Sequence, residues 1–274
     1  MIIWLASYPK SGNTLLRSML SAYFFSKEGI YDNFKLIKNI RQFPHGGLFQ
    51  KLGIDINNHE QTIKSYINVQ NAINKNDSIQ FFKTHSYFFN FNNKYPFSNF
   101  KNTLGAIYIV RDPRNVVTSF AKFKSMTIDN SAKFLIEGKG DGFTWTNTWN
   151  ENFNSWKFLN KYEKYLLIKY EDLITNPELT FLKILKFVFN LKKTKFKIDQ
   201  MKFKNTIKTT SFDYLKNLEK EKGFIEANKD PNTGKPIPFF NLGPKNDWKK
   251  LLNVTIKKKI EMAFEKEMKE LNYL

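Results

Sequence analysis

Residues 2–20 read IIWLASYPKSGNTLLRSML, and the join in the middle of this stretch decides the fold. Ile2 to Ser7 is apolar and β-prone, as expected of a buried strand. The run breaks at Tyr8-Pro9, passes Lys10, Ser11 and Gly12, and enters an amphipathic segment at Asn13 that predicts a helix to Phe25. A helix N-terminus presents unpaired N–H groups and about half a positive charge. Gly12 lets the backbone approach a ligand closely, Ser11, Asn13 and Thr14 add donors, and Lys10 adds a full charge. Such a turn suits an anion. It is not the G-x-x-x-x-G-K-[ST] loop of nucleotide phosphohydrolases, because the lysine precedes a single glycine.

Outward from that turn, strand and helix signals alternate. Glu60–Asn74 has helical spacing, and SIQFFKTH (78–85) reads as a short strand. LGAIYIVR (104–111) is a near-continuous apolar run, the pattern of a strand covered on both faces. Asp112 is placed to cap the following helix, with Pro113 at its first position. Trp145–Leu159 reads as helix, YLLIKYEDL (165–173) as strand, and Asn176-Pro177 as the start of a helix reaching Phe189. Two short helices are expected between 195 and 219, and Ile256, Ile260, Phe264 and Leu271 stripe the last helix. Residues 29–55 and 223–247 read as loops, the second long and mobile. This alternation predicts a single α/β domain over 1–274 with a central parallel sheet flanked by helices. Ligands in such sheets bind beyond the carboxyl ends of the strands, where Lys10, Lys83, His85 and Arg111 fall.

The chain has 274 residues, 41% of them hydrophobic and 28 of them Phe, which is ample for a packed core. It has no cysteine, which excludes disulfides, thiolate nucleophiles and cysteine-bound zinc. No apolar run approaches the roughly 18–20 residues that span a bilayer, and no signal peptide precedes the first strand, so a cytoplasmic protein without membrane partners is expected. The formal net charge is +19, yet only four of the 44 basic residues are Arg. The remainder are Lys scattered among Asn, which is the signature of codon bias more than of a nucleic-acid surface, and no nucleic-acid-binding motif is present. Against that lysine background Arg111 and Arg114 stand out in IVRDPRNVVTSF, since Arg carries the donor fork that matches phosphate. His85 ends a strand two residues after Lys83, so both point to one side. An imidazole with a pKa near about 6.5 is suited to removing a proton at neutral pH.

In order, YPKSGNT, KTH, RDPRNVVTSF, KYEDL, TTSF and GPKNDWK resemble the sulfotransferases of the cytosolic type that use 3′-phosphoadenosine 5′-phosphosulfate (PAPS). The resemblance covers roughly residues 2–250 and implies a P-loop-like fold with three layers. It implies that Lys10 and the backbone of Ser11, Gly12, Asn13 and Thr14 hold the phosphosulfate, and that Arg111 and Ser119 hold the 3′-phosphate. Tyr170 and Phe212 would contact the adenine with Thr210 nearby, Lys83 would orient the sulfuryl group, and His85 would deprotonate the acceptor. No metal is implied, and the product would be PAP. Several positions depart from the family pattern. Leu15 stands where many members have Trp, and Asn13 replaces a common Thr while keeping a side chain able to bond phosphate. Asn152 replaces a frequent His and receives no role. Asn241-Leu242 replace an Arg-Lys pair that clamps the 3′-phosphate beside Gly243, leaving Lys245 as the substitute clamp. Lys258 replaces a Glu of the dimer motif, which leaves the oligomeric state open.

The main rival is a nucleotide or small-molecule kinase, which would need a lysine after a second glycine and an acid for Mg²⁺. The acceptor would be a small molecule bearing a hydroxyl or amine. Residues 29–56, 86–98 and 223–242 would wall its pocket, and Phe34, Phe43, Phe49, Tyr87, Phe88, Phe89, Phe239 and Phe240 would suit an apolar or aromatic alcohol or else pack a lid.

Overall fold

The strands, in chain order, are β1 (Ile2–Ala6), β2 (Arg41–Gln42), β3 (Gln80–Thr84), β4 (Asn90–Phe91), β5 (Tyr95–Pro96), β6 (Thr103–Val110) and β7 (Tyr165–Lys169). They come from a computed structural model that describes every residue except 77, 139–143 and 231–232. Five of them form a parallel sheet in the order β2-β3-β1-β6-β7, while β4 and β5 make a separate antiparallel hairpin. The opening strand is therefore central, with β3 on one side and β6 on the other.

Alternation along β1 sorts the core into two layers. Ile2, Trp4 and Ala6 join Phe82, Tyr108 and Val110 on one face, where Trp149, Phe153, Trp156 and Ile260 cover them. Ile3 and Leu5 join Phe81, Ile107 and Ile109 on the other, beneath Leu16, Met19 and Leu20 of the helix Asn13–Phe25. Helices thus lie on both faces of the sheet, the architecture of P-loop-type α/β proteins. Because Ala6 is in register with both Thr84 and Tyr108, and Val110 with Lys169, the chain leaves β1, β3, β6 and β7 along one edge. All the expected site residues before position 200 lie along or just beyond that edge.

The cap at Asp112 behaves as the sequence predicts, whereas Asn176 precedes the helix Pro177–Leu191 without a side-chain cap bond. The Asp112 carboxylate accepts from Arg114 N at 2.9 Å at the start of the helix Pro113–Phe123. The expected helix 60–74 is two helices, His59–Lys64 and Tyr66–Ile73. At the break, the Ser65 hydroxyl donates to the Gln61 carbonyl at 2.8 Å, a back-bond that bends helices. Strand 165–173 stops at Lys169, because Tyr170 begins the short helix Tyr170–Thr175. The helix expected at 145–159 begins later, at Trp149 behind the Thr148 cap. The loop 29–55 holds a 3-10 turn at Phe34–Asn39, strand β2 and the helix Gly46–Gln50. Helix Ile128–Glu137 and the β4–β5 hairpin lack a counterpart in the sequence reading. The two expected short helices are Gln200–Thr209 and Phe212–Lys222.

The segment read as the loop 223–247 is tied down at several points; positions 231 and 232 lie outside the described residues. The two Glu219 oxygens accept from Phe239 N at 2.7 Å and Phe240 N at 2.8 Å. Asn228 donates to the Phe123 carbonyl at 2.8 Å. This segment roofs the strand ends.

Candidate active site

The turn after β1 is built by backbone conformations that few side chains tolerate. Lys10 has φ +65 and Gly12 φ +102. A Cβ on Gly12 would come within 2.4 Å of the Tyr170 ring, so the glycine is required by space as well as by φ. Asn13 braces the turn from behind. Its amide donates to the Leu5 carbonyl at 2.9 Å and the Ser7 hydroxyl at 3.1 Å. Both amide hydrogens are thereby occupied, so the side chain has no donor left for a phosphate, contrary to the sequence expectation. The Ser11 hydroxyl is buried without a partner. So is Arg111 Nε. Orphaned donors at such a turn fit a phosphorylated or sulfated ligand.

A cavity of about 920 Å³ opens over this edge. Lys10, Gly12, Asn13, Thr14, Lys83, His85, Arg111, Ser119, Tyr170, Phe212 and Gly243 all line it, so residues from six parts of the sequence converge there. Arg111 is 6% exposed, and its guanidinium stacks on Tyr170, 4.3 Å from the ring centre. It also donates to the Gly243 carbonyl at 3.2 Å and lies 3.4 Å from that of Lys10, joining the turn after β1 to the roof. Phe212 packs so closely on Gly243 that a Cβ there would lie 2.0 Å from its ring.

Electrostatics in the cavity are dominated by crowded cations. Lys10 Nζ sits 4.2 Å from the Phe123 ring centre and 3.9 Å from that of Phe239. Burial, then the charges of Arg111 and Lys83, lower its pKa to about 7. Burial also lowers Lys83 to about 8, with Glu226 opposing the shift. His85 is held well below the usual imidazole range, first by burial and next by Lys83, so it is neutral at pH 7. Its Nδ1 lies 2.9 Å from the Ser7 carbonyl and 3.2 Å from the Ser7 hydroxyl. A carbonyl only accepts, so Nδ1 carries the proton and Nε2 keeps its lone pair. That is the tautomer a general base needs.

Two expectations change place. Thr210 is 1% exposed, donates its hydroxyl back to the Thr206 carbonyl at 2.6 Å and is not among the residues that line the cavity. Lys245 is exposed and outside the lining, whereas its neighbour Asn246 is buried and faces in. Asn246 accepts from the Thr118 hydroxyl at 3.0 Å and donates to the Asn115 carbonyl at 2.9 Å, which docks this segment on the helix Pro113–Phe123. Of the eight aromatic residues expected around the acceptor, Phe239 and Phe240 line the cavity. Phe34, Phe43, Phe49 and Phe89 are core, and Tyr87 and Phe88 pack at its edge.

Sequence reasoning missed four contributors. Ser7 fixes the His85 tautomer. Asn152 is fully buried, donates to the His85 carbonyl at 2.9 Å and accepts from Tyr108 at 2.8 Å, so it holds the strand end that carries His85. Arg17 and Glu226 form an ion pair at 2.7 Å inside the cavity. The scarcity of arginine that singles out Arg111 applied equally to Arg17. Among the described residues, no group of three or more His, Asp or Glu is placed to hold a metal ion, and no helix is long and apolar enough to cross a membrane.

Comparison with known proteins places this geometry. A family model described as a sulfotransferase domain matches residues 2–272. The chain belongs to the sulfotransferase family. Mouse sulfotransferase 1 family member D1 is 25% identical over 272 residues, covering 98% of this chain and 83% of that protein. Bovine sulfotransferase 1E1 is 27% identical over 178 residues, 64% of this chain and 58% of that protein. Mouse sulfotransferase SULT7A1, solved in complex with PAP, superposes with a TM-score of 0.56 at 17% identity, over 97% of this chain and 83% of that one. Retinol dehydratase, solved with retinol and PAP, superposes with a TM-score of 0.62 at 14% identity, over 98% and 81%. These likenesses show the shared fold, the α/β architecture that the family resemblance implied.

Proposed function

We propose that this sulfotransferase binds PAPS across the strand ends and moves its sulfuryl group to the hydroxyl or amine of a small acceptor, with His85 as the general base. One observation carries the reading: the Ser7 carbonyl fixes the Nδ1–H tautomer of His85 in the cavity that Lys10 and Lys83 share. Nε2 takes the acceptor proton as the acceptor oxygen or nitrogen attacks sulfur. The bond from sulfur to the bridging phosphate oxygen breaks, and the charge that develops on that oxygen faces Lys10. Positioning and charge stabilisation suffice for such a transfer because the donor is already activated.

Arg111 and Ser119, with Gly243, support the 3′-phosphate, while Tyr170 and Phe212 offer aromatic faces to adenine. With Lys245 outside the lining, backbone groups near Gly243 and the Asn246 side chain support the roof instead. An apolar or aromatic alcohol remains a suitable acceptor, since Phe239, Phe240, Ile225 and Ile237 line the chamber. A single domain and a cytoplasmic location accord with this reading. The test is a thermal shift with PAP, with ATP plus Mg²⁺, and with a DNA oligomer. The largest shift is expected for PAP without metal; a larger shift for ATP with Mg²⁺ would favour a kinase. Screening hydroxyl and amine acceptors with labelled PAPS then identifies the second substrate.

A further inference from the structure

Glu226 is the one carboxylate among the described residues that line the cavity. A carboxylate in a chamber built for an anion opposes binding, so its presence calls for a reason. Its two oxygens reach different elements. Oε1 lies 2.7 Å from Arg17 Nη1, on the first helix, and Oε2 lies 3.8 Å from Lys83 Nζ, at the end of β3. Arg17 is itself immobilised. It is 3% exposed, donates to the Ile40 carbonyl at 2.8 Å and lies 3.4 Å from that of Ile37. The order is thus a fixed guanidinium, a carboxylate oriented by it, and a lysine facing the far oxygen. Lysine is a point charge on a flexible four-carbon stem and needs such a counter-ion to stand in one place. We propose that Glu226 is a positioning residue for sulfuryl transfer: anchored by Arg17, it holds the Lys83 ammonium beside His85, where the sulfuryl group of the donor must sit.

This inference rests on the PAPS reading and deepens it. Lys83 is faced by Glu226 from the roof segment, Arg17 from the first helix, Lys10 from the turn and His85 from its own strand end. Of these, Glu226 alone favours the charged form of Lys83. Neutralising it leaves three basic neighbours and the burial, so Lys83 loses its proton at lower pH.

The test needs no acceptor. Dissociation constants for PAPS and for PAP are measured by calorimetry at pH 6.5 and 8 for wild type, Glu226→Gln, Lys83→Met and the double variant. The preference for PAPS over PAP isolates contact with the sulfuryl group. Glu226→Gln is expected to reduce that preference on the order of three- to tenfold at pH 8 and less at pH 6.5, while the double variant matches Lys83→Met. A residue that only fastens the roof would weaken PAP and PAPS alike and leave the preference unchanged at both pH values. That result, or losses that add in the double variant, overturns the inference. Wild-type protein that binds neither nucleotide would instead overturn the PAPS reading on which it rests.

Discussion

His85 and Lys10 show how burial assigns opposite tasks to two basic side chains. The lowered pKa of His85 means that the proposed base is already deprotonated at neutral pH and remains so as pH falls below the ordinary imidazole range. The acid limb of turnover should therefore lie below about pH 6.5, measured with saturating PAPS and an identified acceptor. Replacement by Gln should leave PAP affinity near wild type and reduce turnover on the order of 10²–10⁴-fold. Near-normal turnover in that variant would remove His85 from the mechanism. Lys10 carries a cost of a different kind. Its pKa in the folded, donor-free protein is about 7, well below the free value of 10.5, because burial among cations disfavours its charge. A depressed folded pKa gives stability that is full above the unfolded pKa and is lost as pH falls toward the folded one. Donor-free protein should therefore gain stability as pH rises from about 7 to 9.5. Lys10→Met should flatten that slope and raise stability near neutral pH by on the order of 2 kcal/mol. The same change should abolish PAPS binding, because in the proposed reading the donor's phosphosulfate adds to the weak counter-charge of Glu219 and Glu226 and makes the ammonium favourable. Denaturant melts at pH 7 and 9 check the first effect, and calorimetry checks the second.

At the scale of elements, the strand-to-helix turn depends on Gly12 more than on any added donor. Gly12→Ala places a methyl 2.4 Å from the Tyr170 ring at φ +102. It should destabilise the protein by about 1–3 kcal/mol and weaken PAP binding, since Tyr170 must shift and Arg111 stacks on it. Unchanged PAP affinity in a folded Ala variant would mean that the ring and the nucleotide are uncoupled. The roof segment carries a contrary expectation. Lys245 is exposed, so Lys245→Ala and Lys250→Ala should lower PAP affinity by equal, small factors at both low and high salt. A larger loss for Lys245 would restore the clamp implied by the missing Arg-Lys pair. These elements also mark the limits of sequence reading. β1, β6 and the helix that follows each are legible because apolar runs and caps are local signals. The two-residue strand β2 is set by its partner β3, distant in the chain, which no local pattern reports. The back-bond of Ser65 to Gln61 and the turn of Asn13 toward Leu5 and Ser7 are local, yet each side chain has other nearby partners that the sequence offers equally. The site divides the same way. Lys10, Lys83, His85 and Arg111 lie at strand ends that the alternation of elements brings together. Glu226 lies in a segment without periodicity, 209 residues from its partner Arg17. Phe43 and Phe49 were eligible for the pocket wall by type and position, yet tertiary packing placed them in the core.

The whole molecule carries 44 basic and 25 acidic residues, a net charge of +19, and this imbalance acts on folding and binding in opposite senses. Like charges spread over a folded surface repel one another more strongly than in the expanded chain, so the donor-free protein is strained by its own field. Added NaCl screens that repulsion, with a Debye length that falls from about 30 Å at 0.01 M to about 10 Å at 0.1 M. The same field draws an anionic nucleotide toward the cavity, and screening weakens that attraction. Ion pairs such as Arg17–Glu226 at 2.7 Å and Arg114–Glu261 at 2.6 Å are short and partly buried, so salt reaches them less than it reaches the surface lysines. Raising NaCl from 20 to 500 mM should therefore lift the donor-free Tm by roughly 2–5 °C while shrinking the additional rise produced by a fixed concentration of PAP. Differential scanning fluorimetry with and without PAP across that range reads both responses in one series. A donor-free Tm that falls with salt would mean that the ion pairs outweigh the repulsion. A PAP-induced rise that is independent of salt would mean that aromatic stacking and backbone donors, not the basic field, carry nucleotide affinity.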